Sequence, residues 1–379
     1  MTRFTLFAFA LIAFSCGSTD SEDSASSNVL EDISFSIDTV VVNPGEELIN
    51  LQWGLGLADI TADKKKLYLL DGTSQSLFEV DLDGLKLLRK IQFEKEGPNG
   101  IGTYPGGFQI LSDGNFLISG FQGSAIFSPS KEKIRDIKFL AGNIDSLSKD
   151  LENGAYFGLL ASQDSKHFLS LPGNFFDGTR DLLVADFSSV KGKMIDIPAM
   201  DIASELRIVL KSAEAMMVAA ENLEIQDLNG RAVISSSATS DIYLYDYSSD
   251  SLRLVNYQHR LVPGKKEPRS KSEVSSQEEF QVEWAKLQEQ IGFEKFFWDD
   301  KNLRYYRFGK ISQPKVDDKT PRKADVFLFA YDKEFKMIGE TQLKDLTSVP
   351  AYPFFKNGKL WSYVNVEDEL GFAVIDFKF

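Results

Sequence analysis

The sequence predicts an all-β fold, a six-bladed β-propeller closed by its own amino-terminal strand. Short alternating segments rich in β-formers recur from Leu67 to the carboxyl end, cut by turns of Asp, Asn, Gly and Lys. They recur six times with a period of roughly fifty residues, the length of a multi-strand repeat. The last copy stops one strand short, and a strand of the missing kind lies ahead of the first.

Each copy has a recognisable second segment: LYLLDG from Leu67, FLISGF from Phe116, FLSLPG from Phe168, AVISSS from Ala232, LRYYRF from Leu303 and LWSYVN from Leu360. Tight-turn chemistry precedes them, as in TADKKK, LSDGN, SQDSK, QDLNG, WDDKN and FKNGK. The third segments are LFEVDL, AIFSPS, LLVADF, IYLYDY, VFLFAY and FAVIDF, starting at Leu77, Ala125, Leu182, Ile242, Val326 and Phe372. Three of these end in Asp followed by an aromatic residue: Asp186-Phe187, Asp246-Tyr247 and Asp376-Phe377. Closure without an open edge requires Ile33–Val42 to pair beside Phe372–Phe377.

Strand direction alternates within a blade, so connections after the second and fourth strands share one face. The long insertions fall there: 140–155, 199–221, 258–292 and 309–324. Two of them carry helical spacing. In a helical insertion at about 275–292, Phe280, Trp284, Leu287 and Ile291 form an apolar stripe opposite Glu278, Glu279, Glu283, Lys286 and Glu289. A second helix is expected over Ser204–Leu223 from Leu206, Val209, Leu210, Ala213, Met217 and Ala220.

The chain has 379 residues, 43% of them hydrophobic, with a net charge of −14, which disfavours a nucleic-acid or anionic-membrane surface. Residues 1–15 combine Arg3 with an apolar run from Phe4 to Phe14, the pattern of a secretory signal peptide. Cys16 is the only cysteine, so it has no disulfide partner in an exported chain. Residues 16–29 are polar and acidic and read as a flexible tether, leaving 30–379 for the propeller.

Ile12-Ala13-Phe14-Ser15-Cys16 resembles a bacterial lipobox, which implies acyl chains on Cys16 and a membrane anchor. The acidic tract behind it resembles the signal that places some lipoproteins on the outer membrane and at the cell surface. With its repeats and turns such as Leu111-Ser112-Asp113-Gly114-Asn115, the chain resembles a TolB-like six-bladed propeller, within an uncharacterised family of bacterial propeller lipoproteins. The resemblance implies a fold and an address, and no activity.

Site chemistry is sparse. His167 reads as a solvated turn residue, and His259 as the one histidine on the loop-rich face, with no orienting carboxylate among its sequence neighbours Arg260 and Lys265. Asp71, Asp81, Asp83 and Glu367-Asp368-Glu369 are the candidate ligands for a hard cation, but Asp81 and Asp83 are explained as hairpin turn residues, and the acidic triplet as a loop attracted to Lys310, Lys315, Arg322 and Lys323 or, alternatively, one wall of a ligand cleft between them. Tyr104, Tyr156 and Tyr352 precede first strands, so they are candidates to crown the central channel with Trp53 and Arg180 and to stack a ligand, or else to pack near the axis. The expectation is a monomeric, membrane-tethered binding or scaffold module for a protein, peptide or glycan, without nucleic acid, metal or cofactor. The alternative is a cation-dependent hydrolase or lactonase with its site in the channel, a reading that the shortage of acidic and amide residues at first-strand starts disfavours.

Overall fold

The computed structural model describes residues 28–379 apart from 121–122, 174–177, 212–215 and 318–319. The expected signal peptide, Cys16 and most of the tether lie outside the described residues. The outer strand β1 is Ser34–Val41. Blade 1 follows as β2 (Ala58–Ile60), β3 (Lys66–Asp71), β4 (Ser76–Asp81) and β5 (Lys86–Gln92), and blade 2 as β6 (Pro105–Ile110), β7 (Phe116–Gly120), β8 (Gly123–Phe127) and β9 (Lys133–Ile137). A short β10 (Ile144–Asp145) precedes blade 3, which is β11 (Leu160–Ala161), β12 (His167–Ser170), β13 (Leu182–Asp186) and β14 (Gly192–Ile195). After α1 (Ile202–Glu205), β15 (Ile208–Lys211) and β16 (Met216–Ala219) comes blade 4: β17 (Leu223–Leu228), β18 (Arg231–Ser236), β19 (Thr239–Asp246) and β20 (Ser251–Val255). Then β21 (Glu273–Val274) and α2 (Gln277–Gln288) lead into blade 5: β22 (Gly292–Asp299), β23 (Arg304–Ser312), β24 (Ala324–Tyr331) and β25 (Met337–Gln342). Blade 6 is β26 (Ala351–Lys356), β27 (Lys359–Val366) and β28 (Glu369–Lys378), completed by β1.

The fold is therefore all-β, and its closing strand lies where the repeat count requires it. β1 runs antiparallel to β28 from Ser34 opposite Lys378 to Val41 opposite Gly371. The strand itself is mostly exposed, as an outer strand should be, so its hold comes from backbone pairing and from its flanks: Leu30 and Val42 are fully buried. Middle strands behave oppositely. β3 and β4 are buried almost throughout because each of their faces packs against a neighbouring sheet.

Inner strands are stitched to one another around the axis. The Ile110 amide donates to Asp59 Oδ2 (2.8 Å), joining blades 2 and 1. Gln109 bonds both the N–H and the C=O of Ala161 (2.8 and 2.7 Å), and Gln226 does the same for Phe296 (2.9 and 2.8 Å). The Gln163 amide donates to Asp227 Oδ2 (2.6 Å), Phe297 stacks on Phe355, and Tyr352 OH donates to Ala58 O (2.8 Å). These contacts link blades 1 through 6 and back to 1. A buried amide or carboxylate that satisfies an inner-strand backbone group avoids the cost of an unpaired donor in a narrow space.

One helix is where its spacing placed it. α2 starts at the cap Ser276, whose hydroxyl accepts from Glu279 N, and it buries Phe280 and Leu287. Glu283, assigned by spacing to the wet side, is buried instead, accepting from Lys271 N and pairing with Lys286. The helix expected over Ser204–Leu223 is corrected: helix ends at Glu205, and β15 and β16 pair antiparallel, with β21 parallel on the other side of β15. Ile208 and Leu210 are buried against Val274, Phe280 and Leu287, and the β-branched Ile208 and Val209 favour a strand that α2 covers.

Candidate functional site

The four long connections expected occupy 138–159, 196–222 and 256–291 after fourth strands and 313–323 after a second strand, and 42–57 and 93–104, not singled out in the sequence, leave the ring on the same face. This loop-rich face collects exposed apolar side chains. Among the described residues, Leu48, Trp53, Tyr104, Leu140, Phe157, Met216, Leu261, Val282 and Val316 all sit in these connections, whereas Leu303 and Phe379 lie on the opposite hairpin face. Isolated exposed apolar residues are ordinary, and nine of those outside the outer strands lie in these connections against two on the hairpin face.

The five residues expected around the channel mouth divide. Trp53 and Tyr104 are 77% and 76% exposed. Tyr156 packs on Phe139 inside the blade 2–3 core, and Tyr352 is largely buried, its hydroxyl spent on Ala58 and its ionisation pushed well above the usual phenol range by burial. Arg180 lies over the Phe157 ring at 3.7 Å and donates to Leu171 O. A crown of all five is thus not what the fold builds: two are locked into packing, two project freely, and Arg180 flattens Phe157 against the connection before blade 3.

Both histidines are corrected. The ring of His167 stacks on Tyr247 (4.9 Å, 12°) rather than standing in water. His259 does have a carboxylate neighbour, supplied by the outer strand of blade 5: Nδ1 lies 3.4 Å from Glu340 Oε2 with both side chains almost fully shielded. Glu340 Oε1 accepts from Arg260 N (2.8 Å) and faces Arg260 Nε (3.2 Å). Phe329 and Phe293 wall the imidazole, and burial lowers its proton affinity despite the nearby carboxylate. A shielded imidazole cannot reach a substrate, so the pair is part of the blade 4–5 seam. Fully buried Arg307 completes that seam, donating to Glu294 O, Ser240 O and Ser236 O between the rings of Phe293 and Phe296.

The acidic candidates are turn formers. Asp81 accepts from the amides of Asp83 and Gly84, and Asp71 from Thr73 N and Ser74 Oγ. Asp186 and Asp246 do the same with Ser188-Ser189 and Ser248-Ser249, which explains the Asp-aromatic repeat. The Asp closes the turn while Phe187 folds back on Phe168, and Tyr247 on His167. Those hydrogen bonds hold the Asp246 carboxyl down at about 2. Lys310 pairs with Glu294 and Arg322 with Glu289, so these two cations are not used by the Glu367–Glu369 loop. Among the described residues, no three His, Cys, Asp or Glu side chains group as a metal set.

Two features escaped sequence reasoning. Asp59 on the channel wall has its carboxyl pushed up to about 6 by burial, against the lowering effect of the Ile110 and Ile60 amides. Its only sequence signal is a carboxylate in a first strand between Ala58 and Ile60. A cavity of about 500 Å³ opens on the hairpin face between the first turns of blades 1, 5 and 6, lined by Asp63, Lys64, Asp300, Lys301 and Lys356. With Asp299 also in the lining, three carboxylates face three lysines, and Lys356 is already committed to Lys64 O and Asp83.

Residues 26–342 match the family described as Domain of unknown function (DUF4221). The structure of a DUF4221 family member from Bacteroides vulgatus superimposes with a TM-score of 0.64 at 13% identity, covering 91% of this chain and 98% of that one. A periplasmic gluconolactonase from Pseudomonas aeruginosa is more distant, with a TM-score of 0.43 at 9% identity over 86% of this chain and 88% of that one. The first likeness concerns the fold alone. No curated protein matches the chain.

Proposed function

The chain belongs to the DUF4221 family, and from that premise we propose that it is an exported, TolB-like propeller lipoprotein, anchored through Cys16, whose loop-rich face binds a partner outside the cytoplasm. The observation that carries the reading is the concentration of exposed apolar side chains in the connections of one face. The address rests on the leader and lipobox of residues 1–16. Among the described residues no helix is long and apolar enough to cross a membrane. The fold reaches the tether at Asn28, whose side chain bonds both backbone groups of Glu340 at the rim of blade 5. A rim attachment leaves the loop-rich face unobstructed by its own anchor.

The test is capture from intact cells by the lipidated protein, compared with a Trp53→Ala/Tyr104→Ala/Phe157→Ala variant. Partners retained by the first and lost by the second support the reading, and identical partners from both overturn it. Labelling with a radioactive fatty acid, abolished by Cys16→Ser, checks the anchor independently.

A further inference from the structure

Each blade ends in an outer strand, an edge whose backbone groups recruit a further strand unless it is blunted. β5 carries Lys86, Arg89 and Lys90 with a register shift at Glu79–Val80, and β9 carries Lys133 and Arg135 with a shift at Ile126–Phe127. β14 is paired by β10, and β20 has five residues with Arg253 at their centre. β25 shifts register at Ala330–Tyr331 and is covered by Asn28 and Val29, which bond the backbone of Glu340 and Ile338. β1 lacks these devices. It is the longest of the six at eight residues, keeps an unbroken register with β28, and contains no Lys, Arg, Pro or Gly. Phe35, Ile37, Thr39, Val40 and Val41 are aromatic or β-branched, and the single charge is Asp38.

Hydrogen-bond parity fixes which backbone groups of β1 face outward. Val42 N donates to Leu370 O in the register that sets Val41 opposite Gly371, so even-numbered residues bond to β28. The amides and carbonyls of Phe35, Ile37, Thr39 and Val41 therefore point away from the sheet. The same parity continues at Asn43, whose amide and carbonyl bond Leu85 and Leu87 and so close the edge beyond Val42. Among the described residues, the hydrogen bond made on the edge before that point runs from Thr39 N to its own neighbour Asp38 (2.8 Å). Ile37 and Val41 are 50% and 41% exposed beside it.

An antiparallel partner must present groups of the same parity, so a second copy of β1 has few registers to choose from. A two-fold axis at Ile37 aligns Ser34–Val40 with its copy, setting Ile37 against Ile37, Phe35 against Thr39 and Ser36 against Asp38. An axis at Asp38 opposes the two carboxylates, and axes at Ser36 or Thr39 shorten the overlap to Ser34–Asp38 or Ile37–Val41. The strand is thus self-complementary in one register. There Asp38 turns from Thr39 N to the Ser36 hydroxyl of the copy, and Thr39 N is released to the Phe35 carbonyl across the interface. A foreign strand would need a hydroxyl or a cation at the position facing Asp38, a match that β1 already carries in itself.

We propose that β1 is a dimerisation edge, which pairs antiparallel with β1 of a second copy about Ile37 and joins two blade 6 sheets into one. The chain expected from its sequence to be a monomer is then a dimer, and the loop-rich face takes no part in the contact.

Sedimentation velocity of the full chain, purified in detergent, tests it. The expected result is a concentration-dependent dimer. Ile37→Pro removes an outward amide and leaves the β28 ladder intact, and Ser36→Asp sets a carboxylate against each Asp38. Because each change enters the interface twice, both should weaken association by about tenfold or more. Ser36→Lys, which sets an ammonium opposite Asp38, should tighten it, and Ile37→Ala, which keeps every backbone group, should retain it. Unfolding midpoints in urea, measured where all variants are monomers, exclude loss of the fold as the cause. A chain that sediments as a monomer at every concentration, or a dimer indifferent to Ile37→Pro and Ser36→Asp, overturns the proposal. Ser36→Lys weakening the dimer as Ser36→Asp does would overturn it by moving the axis. A monomeric chain whose β1 instead pairs with a strand of another protein would overturn it too.

Discussion

Replacing Leu30 by Ala removes a fully buried side chain from the segment that closes the ring, at a seam where it meets Phe297, Val326 and Phe377. Such a truncation costs about 2–5 kcal/mol when the surroundings cannot collapse into the gap. Collapse is hindered here, because the Leu30 side chain already presses on Gly339, where a Cβ would sit 3.1 Å from its Cγ. With a urea dependence of roughly 3 kcal/mol per molar, a loss of about 3 kcal/mol lowers the unfolding midpoint by about 1 M. Ile37→Ala is the matched control: Ile37 lies in β1 itself but is 50% exposed, and a surface change of that kind costs about 0.5 kcal/mol. Both variants are compared by tryptophan fluorescence in urea. A chain starting at residue 43 loses Leu30, β1 and Val42 together, and the bare edge of β28 should then drive aggregation. If Leu30→Ala unfolds no earlier than Ile37→Ala, or the truncated chain stays monomeric and stable, the amino-terminal strand does not fasten the fold.

Three further outcomes follow from buried groups. The Asp59 carboxyl, observed by side-chain carbon NMR, should titrate near pH 6 rather than near 3.8, and an ordinary midpoint would show that the channel wall is wet at that position. His259 has a folded proton affinity lowered by burial, with Glu340 and Asp241 opposing and Arg307 adding to the effect. The unfolded chain therefore binds more protons below about pH 6.5, so stability is fully present above that pH and falls as the solution is acidified. His259→Leu should flatten that fall in urea titrations between pH 5 and 7, and an unchanged slope would remove His259 from the account. Arg307→Met leaves three carbonyls without donors, at about 1–3 kcal/mol each, while relieving the desolvation of a buried cation. The net expectation is a loss of about 2–4 kcal/mol, and a variant as stable as the parent would mean that packing alone joins blades 4 and 5.

The ring was legible because repetition is a sequence property. Turn residues such as Asp81 and Asp246 fix their hairpins locally, and the strand missing after Phe377 had one source of the right length at Ser34–Val41. The strand pair Ile208–Lys211 and Met216–Ala219 was not legible, since a short apolar run fits a helical and an extended period equally well. What decided it was the cover provided by α2 and β21, which are distant in the chain. The same limit hid the Glu340 neighbour of His259 and the inward turn of Tyr352 and Tyr156: position before a first strand says which face a residue occupies, not whether its ring points into the core or away. Trp53 and Tyr104 occupy similar positions and point away, which only the packing of Leu55 and Gly120 beside them explains.

Photo-crosslinking in intact cells separates the two faces most directly. Benzoylphenylalanine placed at residues 53 and 104 samples the loop-rich face, and at residues 300 and 357 the hairpin face beside the 500 Å³ cavity. The account predicts discrete crosslinked species from 53 and 104 and none from 300 and 357. Adducts from 300 and 357 alone would place recognition on the opposite side of the ring and contradict it.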